Sequence, residues 1–140
     1  MLLRQAAYRP YRRRSRQAEI TLNSSRSIVV IDDSASVRRS LESLLRSLGF
    51  DVSSFACAED FLISRPRQIC CVVTDVEMPG LSGIDLYETM RAARNDTPVI
   101  FITAASEQKV RLRLGDGPCV LGKPFEASDL AACIERSIAG

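Results

Sequence analysis

Four short apolar runs, each broken off by polar groups, dictate most of what this 140-residue chain can fold into. SIVVIDD stops at Asp32 and Asp33, ICCVVTD at Asp75, PVIFITA at Thr103, and CVLGKPF at Lys123, just before Pro124. Continuous apolar runs of this length read as strands covered on both faces, the pattern of a buried parallel sheet. Laid side by side and parallel, they bring three carboxylates, a hydroxyl and an ammonium to one edge of the sheet. Such a cluster can hold a hard divalent cation and present one carboxylate to a phosphoryl group.

Helical patterns fill the gaps between these strands. Val37, Leu41, Leu44, Leu45 and Leu48 recur on one face of a helix that Ser34 can cap and Gly49 can stop. Asp51–Phe55 alternates as a further strand, followed by a weak helix over 59–64 that ends before Pro66. Beyond Asp75, the MPGLSG loop leads into a helix carrying Ile84, Leu86, Tyr87 and Met90. A short, Arg-rich helix is predicted over 107–114, and a last one carries Leu130, Ala131, Ile134 and Ile138. Five strands alternating with five helices predict an α/β fold, a doubly wound three-layer sandwich with parallel strand order 2-1-3-4-5. In such sheets ligands bind beyond the carboxyl ends of the strands, where the strand order reverses. That point lies between the strands ending in Asp32/Asp33 and Asp75.

A single Asp at a strand end is ordinarily a turn or cap residue, a reading that suits Asp51, Asp85 and Asp129. It suits Asp32, Asp33 and Asp75 poorly, because two adjacent carboxylates facing a third repel unless something positive lies between them. Mg²⁺ takes oxygen ligands and leaves positions for phosphate oxygens. Lys123 follows a buried strand and precedes a proline, so its ammonium can stabilise an Asp75 nucleophile and later pair with a phosphoryl oxygen. Thr103 ends the fourth strand, where its hydroxyl can donate to the same group, and the small Ala104 leaves room for entry.

Composition removes competing chemistries. The chain has no histidine, which excludes a histidine kinase, a phosphohistidine carrier, Ser-His or Cys-His catalysis and a typical zinc site. Five cysteines (Cys57, Cys70, Cys71, Cys119, Cys133) form no C-x-x-C and no even framework, so reduced thiols in a cytoplasmic protein are expected. No run approaches the length of a membrane span, and no secretory signal is evident. Charge divides the chain. Residues 1–26 hold seven arginines against Glu19, a balance of +6, while the remainder holds twelve basic against sixteen acidic residues, −4. The RPYRRRSR block predicts a mobile basic arm over 1–26 ahead of one domain over 27–140. The arm reads as a solvated tail or a start assigned too far upstream. The alternative is an arm that binds nucleic acid or an anionic membrane, with Tyr8 and Tyr11 as stacking groups.

VVIDDS, VVTDVEMPGLSG, PVIFITA and GKPF, in this order and near this spacing, resemble a response-regulator receiver domain of the FixJ type, with the CheY-like, flavodoxin-like fold. The resemblance runs from about Ser27 to Ala139. It implies that Asp75 is the phosphoacceptor, that Asp32, Asp33, Asp75 and the backbone carbonyl of Glu77 bind Mg²⁺, that Thr103 is the switch hydroxyl, and that Lys123 pairs with phosphate. It further implies phosphotransfer from a sensor histidine kinase or a histidine phosphotransfer protein within a two-component phosphorelay. The chain would then act as a single-domain response regulator that catalyses only its own phosphorylation and dephosphorylation and is not otherwise an enzyme. Glu77 and Ala105 would flank the route of the hydrolytic water.

Output coupling is where the sequence departs from the pattern. Receivers carry an aromatic switch residue three before the lysine, and Val120 stands there. The stretch from Thr103 to Lys123 is about two residues short, and GDGP replaces the usual end of the fourth helix. A Mg²⁺-dependent aspartyl-phosphate hydrolase is the competing reading, but such enzymes place a second Asp two residues after the nucleophile, where this chain has Glu77. A DNA-binding regulator acting through residues 1–26 is a third.

Overall fold

The computed structural model describes residues 26–105 and 107–139. The strands are β1 (Ser27–Ile31), β2 (Asp51–Phe55), β3 (Ile69–Asp75), β4 (Val99–Thr103) and β5 (Cys119–Gly122). The helices are α1 (Ala35–Ser47), α2 (Ala58–Ser64), α3 (Gly83–Ala92), α4 (Glu107–Leu114) and α5 (Ala127–Ala139). All five strands are parallel, in the order β2-β1-β3-β4-β5, as the sequence predicts.

Alternation along the strands builds two cores. Val29, Ile31, Val72, Phe101 and Val120 face one side with Phe61 of α2, Leu86 and Met90 of α3 and Val110 of α4. Ile28, Val30, Cys71, Val73, Ile100 and Ile102 face the other, with Leu41 and Leu45 of α1 and Leu130 and Ile134 of α5. Because the central strands β3 and β4 are buried on both faces, their sequences run apolar up to their polar carboxyl ends rather than alternating. Val120 is itself 2 % exposed and belongs to the first core, so the position expected to hold a switch aromatic is occupied by packing.

Helix ends follow local chemistry. Ser34 caps α1, its Oγ accepting from the Val37 amide. Gly49 lies past the end of α1 at φ +96°, a conformation other residues adopt only with strain. Leu48, read as part of the apolar face, is instead exposed, because it is the C-cap where the helix turns away from the sheet. Asp85 is the acidic half of a capping box with Ser82 at the start of α3, which confirms its reading as a cap.

The expectation for the cysteines needs correction. Cys119 and Cys133 are joined in a disulfide, although all five cysteines were expected to be reduced thiols. Their separation follows no motif; the packing of α5 across β5 brings them together. Cys57, Cys70 and Cys71 are thiols, and burial pushes the pKa of Cys70 and Cys71 up, as suits a small apolar filler. The arm expected over 1–26 lies outside the described residues except for Arg26. That residue is fastened to the domain, its Nε and Nη2 donating to the Gly49 and Leu48 carbonyls and its guanidinium lying 4.5 Å from the Phe50 ring centroid.

Candidate functional site

Strand register explains why residues far apart in sequence meet. Ile31 is paired with Thr74, so Asp32 and Asp75 lie side by side one residue further on. Asp75 is paired with Ile102, and Thr103 with Gly122, which sets Thr103 and then Lys123 each one step further along the same edge. The polar groups therefore form a staggered row across four adjacent strands.

Asp32 is fixed at its root. It is 2 % exposed, its amide donates to the Phe55 carbonyl at 3.2 Å, and Arg38 Nη1 donates to the Asp32 carbonyl at 2.7 Å. Its Oδ1 accepts from the Ser34 amide at 2.9 Å, leaving Oδ2 for the site. Asp33, the next residue, is exposed. Asp75 ends β3 at 8 % exposure, with the Thr74 hydroxyl donating to its carbonyl at 3.0 Å.

The loop beyond Asp75 is braced from three directions. The Val76 amide donates to the Ile102 carbonyl, the Gly83 amide to the Val76 carbonyl, and the Leu81 amide to Oε2 of Glu59. Gly83 lies so close to the Asp75 carbonyl that a Cβ there would collide with it.

Carboxylate oxygens of Asp32, Asp33 and Asp75 all lie within 4.8 Å of one another. The Lys123 Nζ stands 3.6 Å from Oδ2 of Asp32 and 3.7 Å from Oδ1 of Asp75, bridging the two. The Lys123 amide donates to the Thr103 carbonyl at 2.8 Å, which holds the start of its side chain against the end of β4. Burial pushes the Asp75 pKa from 3.8 up to about 6. The Lys123 ammonium opposes that rise, and the Asp32 and Glu77 carboxylates add to it. Three carboxylates facing one ammonium leave an excess of negative charge on hard oxygen donors. That donor set fits a divalent cation of the Mg²⁺ class, with Asp32, Asp33 and Asp75 as side-chain ligands.

Thr103, fully buried, does not point its proton at the carboxylate trio. Its hydroxyl donates to Glu77, whose Oε1 and Oε2 lie at 3.2 and 3.3 Å, and accepts from the Ala105 amide at 3.0 Å. Ala104 and Ala105 are exposed beside it. The structure thus brings Asp32, Asp33, Asp75 and Lys123 together and adds the Glu77 side chain, which sequence reasoning had considered for its backbone carbonyl and as a flank to the water route. The signal available was an acidic residue two positions after Asp75 on a short loop. Arg38, Glu59 and Gly83, which support the site from behind, were missed; only their exact contacts distinguish them from surface charge or turn glycine.

Known proteins share this fold. A family model described as the response regulator receiver domain matches residues 28–135. The transcriptional regulatory protein FixJ of Bradyrhizobium diazoefficiens is 42 % identical over 115 residues, covering 79 % of this chain and 56 % of that protein. Nodulation protein W of the same organism is 42 % identical over 112 residues, covering 76 % of this chain and 49 % of its own length. Among solved structures, the response regulator StyR superposes with a TM-score of 0.73 at 41 % identity, over 81 % of this chain and 59 % of that one. The chain spans about half the length of the curated relatives it matches.

Proposed function

Because the chain belongs to the response regulator receiver domain family of two-component systems, we propose that it accepts a phosphoryl group on Asp75. The donor is a phosphohistidine on a sensor histidine kinase or a histidine phosphotransfer protein, and the setting is the bacterial cytoplasm. The observation that carries this reading is the position of Lys123 Nζ between Asp32 Oδ2 at 3.6 Å and Asp75 Oδ1 at 3.7 Å. An ammonium so placed keeps the Asp75 oxygen anionic and within reach of an entering phosphoryl oxygen.

An Asp75 carboxylate oxygen attacks phosphorus in line, the bond from phosphorus to the histidine nitrogen breaks, and an aspartyl phosphate results. Lys123 moves from pairing the bare carboxylate to pairing a phosphoryl oxygen, which offsets the charge that gathers there. Asp32, Asp33, Asp75 and the backbone carbonyl of Glu77 would hold Mg²⁺, which would supply further charge neutralisation. Thr103 then exchanges the Glu77 carboxylate for a phosphoryl oxygen as its acceptor. Water later hydrolyses the acyl phosphate and returns Asp75 to a free carboxylate. The chain therefore catalyses only its own phosphorylation and dephosphorylation.

Incubation with acetyl phosphate and Mg²⁺ tests the reading. The wild-type chain is expected to take up one equivalent of phosphate in a hydroxylamine-labile bond, and Asp75→Asn none. Equal labelling of Asp75→Asn would overturn it.

A further inference from the structure

The cysteine pair lies away from the carboxylate site yet encloses part of it. Cys119 opens β5 and Cys133 is in α5, and the intervening segment carries Lys123 and the start of α5. The two ends of the bridge differ in access. Cys133 is 1 % exposed, whereas Cys119 is half-buried and lines an open cavity of about 330 Å³ with Tyr87, Arg91, Pro98 and Arg136. The same guanidinium reaches both sulfurs. Arg136 Nη2 lies 3.2 Å from Sγ of Cys119 and 3.6 Å from Sγ of Cys133. Arg136 is itself exposed. A disulfide with one half-buried cysteine lining an open cavity, and a cation in place for whichever thiolate is released, is arranged for exchange. Cys71, fully buried in the same core as Cys133, has neither feature.

We propose that Cys119 and Cys133 form a thiol–disulfide exchange site that reacts with a low-molecular-weight thiol at Cys119, and that its reduction loosens the Lys123-bearing segment from α5. In the first step the thiolate of the small molecule attacks Sγ of Cys119. The Sγ–Sγ bond breaks, and its electron pair leaves on Sγ of Cys133 beside Arg136. A second thiolate attacks the small-molecule sulfur of the mixed disulfide and releases Cys119 as a thiolate. Two small-molecule thiols become one disulfide, and the protein pair takes up their two electrons and two protons. A small-molecule disulfide runs the same steps backward. Arg136 acts on the sulfurs directly in this scheme: its guanidinium stabilises the leaving thiolates without being consumed.

Thiol counting in glutathione buffers tests the proposal on the full chain. Without reductant, a maleimide should label Cys57, Cys70 and Cys71 in the unfolded, acid-quenched protein and leave Cys119 and Cys133 linked. Excess reduced glutathione should expose the pair, and oxidised glutathione should close it again. Arg136→Gln should slow opening about threefold, while Arg136→Lys, which keeps a cation, should stay near the wild-type rate. Full labelling of all five cysteines before any reductant, or a bridge that survives excess glutathione, would overturn the exchange site. Equal rates in wild type and Arg136→Gln would remove Arg136 from it. Hydrogen exchange across residues 123–133 should quicken in the reduced form, and unchanged protection would contradict the loosening. Asp75→Asn should give the same thiol counts, so the outcome is independent of phosphoryl transfer.

Discussion

The Thr103 hydroxyl donates to the Glu77 carboxylate, with both oxygens at 3.2–3.3 Å, across the mouth of the site. The only proton Thr103 can offer a phosphoryl group is thus already engaged, and the group that engages it is itself an anion beside Asp75. In the proposed mechanism a phosphoryl oxygen would replace Glu77 as that acceptor; the Glu77 carboxylate also adds to the repulsion that raises the Asp75 pKa.

Glu77→Ala removes both effects, so labelling by acetyl phosphate should quicken about three- to tenfold. Glu77→Gln keeps an acceptor for Thr103 and loses only the charge, so it should fall between the two. Rates of labelling under first-order conditions in acetyl phosphate decide this; a slower Glu77→Ala would mean that the carboxylate assists the transfer.

Lys123→Met should lower the labelling rate about a hundredfold, the scale of losing one preorganised charge at a developing anion. It also removes the favourable charge that, among the described residues, opposes the rise, so the Asp75 pKa should rise above about 6. Carboxyl carbon shifts of Asp75 followed by NMR against pH check the second part.

A carboxyl whose pKa is raised on folding contributes stability that is fully present below its unfolded value and is lost as pH rises through its folded value. For Asp75 those values are 3.8 and about 6. In chelator, Asp75→Asn should therefore be more stable than wild type at pH 8 by about 2 kcal/mol. The difference should shrink as pH falls through 6 and vanish below about pH 3.8. Urea unfolding across that range provides the measurement.

Gly83→Ala should destabilise the domain by about 1–3 kcal/mol, because the added Cβ meets the Asp75 carbonyl, a backbone atom that cannot swing aside. Urea midpoints compared with those of an exposed Gly117→Ala control, where a Cβ meets nothing within 4 Å, isolate the contact.

Much of this molecule was legible in its residues, for a physical reason. A parallel sheet buried on both faces forces its strands to be short and apolar, so a polar group at a strand end is conspicuous, and register alone then brings Asp32, Asp75, Thr103 and Lys123 to one edge. What stayed hidden depends on angles and rotamers rather than on pattern. The Cys119–Cys133 bridge requires knowing how α5 lies across β5. The Glu77–Thr103 pair requires the path of a loop, and Leu48 is exposed because the helix ends at Ser47, one residue short of its apolar period.

The most direct test of the account is to locate the phosphoryl group itself. After treatment with acetyl phosphate and Mg²⁺, borohydride reduction converts an aspartyl phosphate to homoserine, which peptide mass spectrometry assigns to one position. Conversion is expected at Asp75 and nowhere else in the chain. Conversion at Asp32 or Asp33, or none at all in a chain shown to be folded, would contradict it.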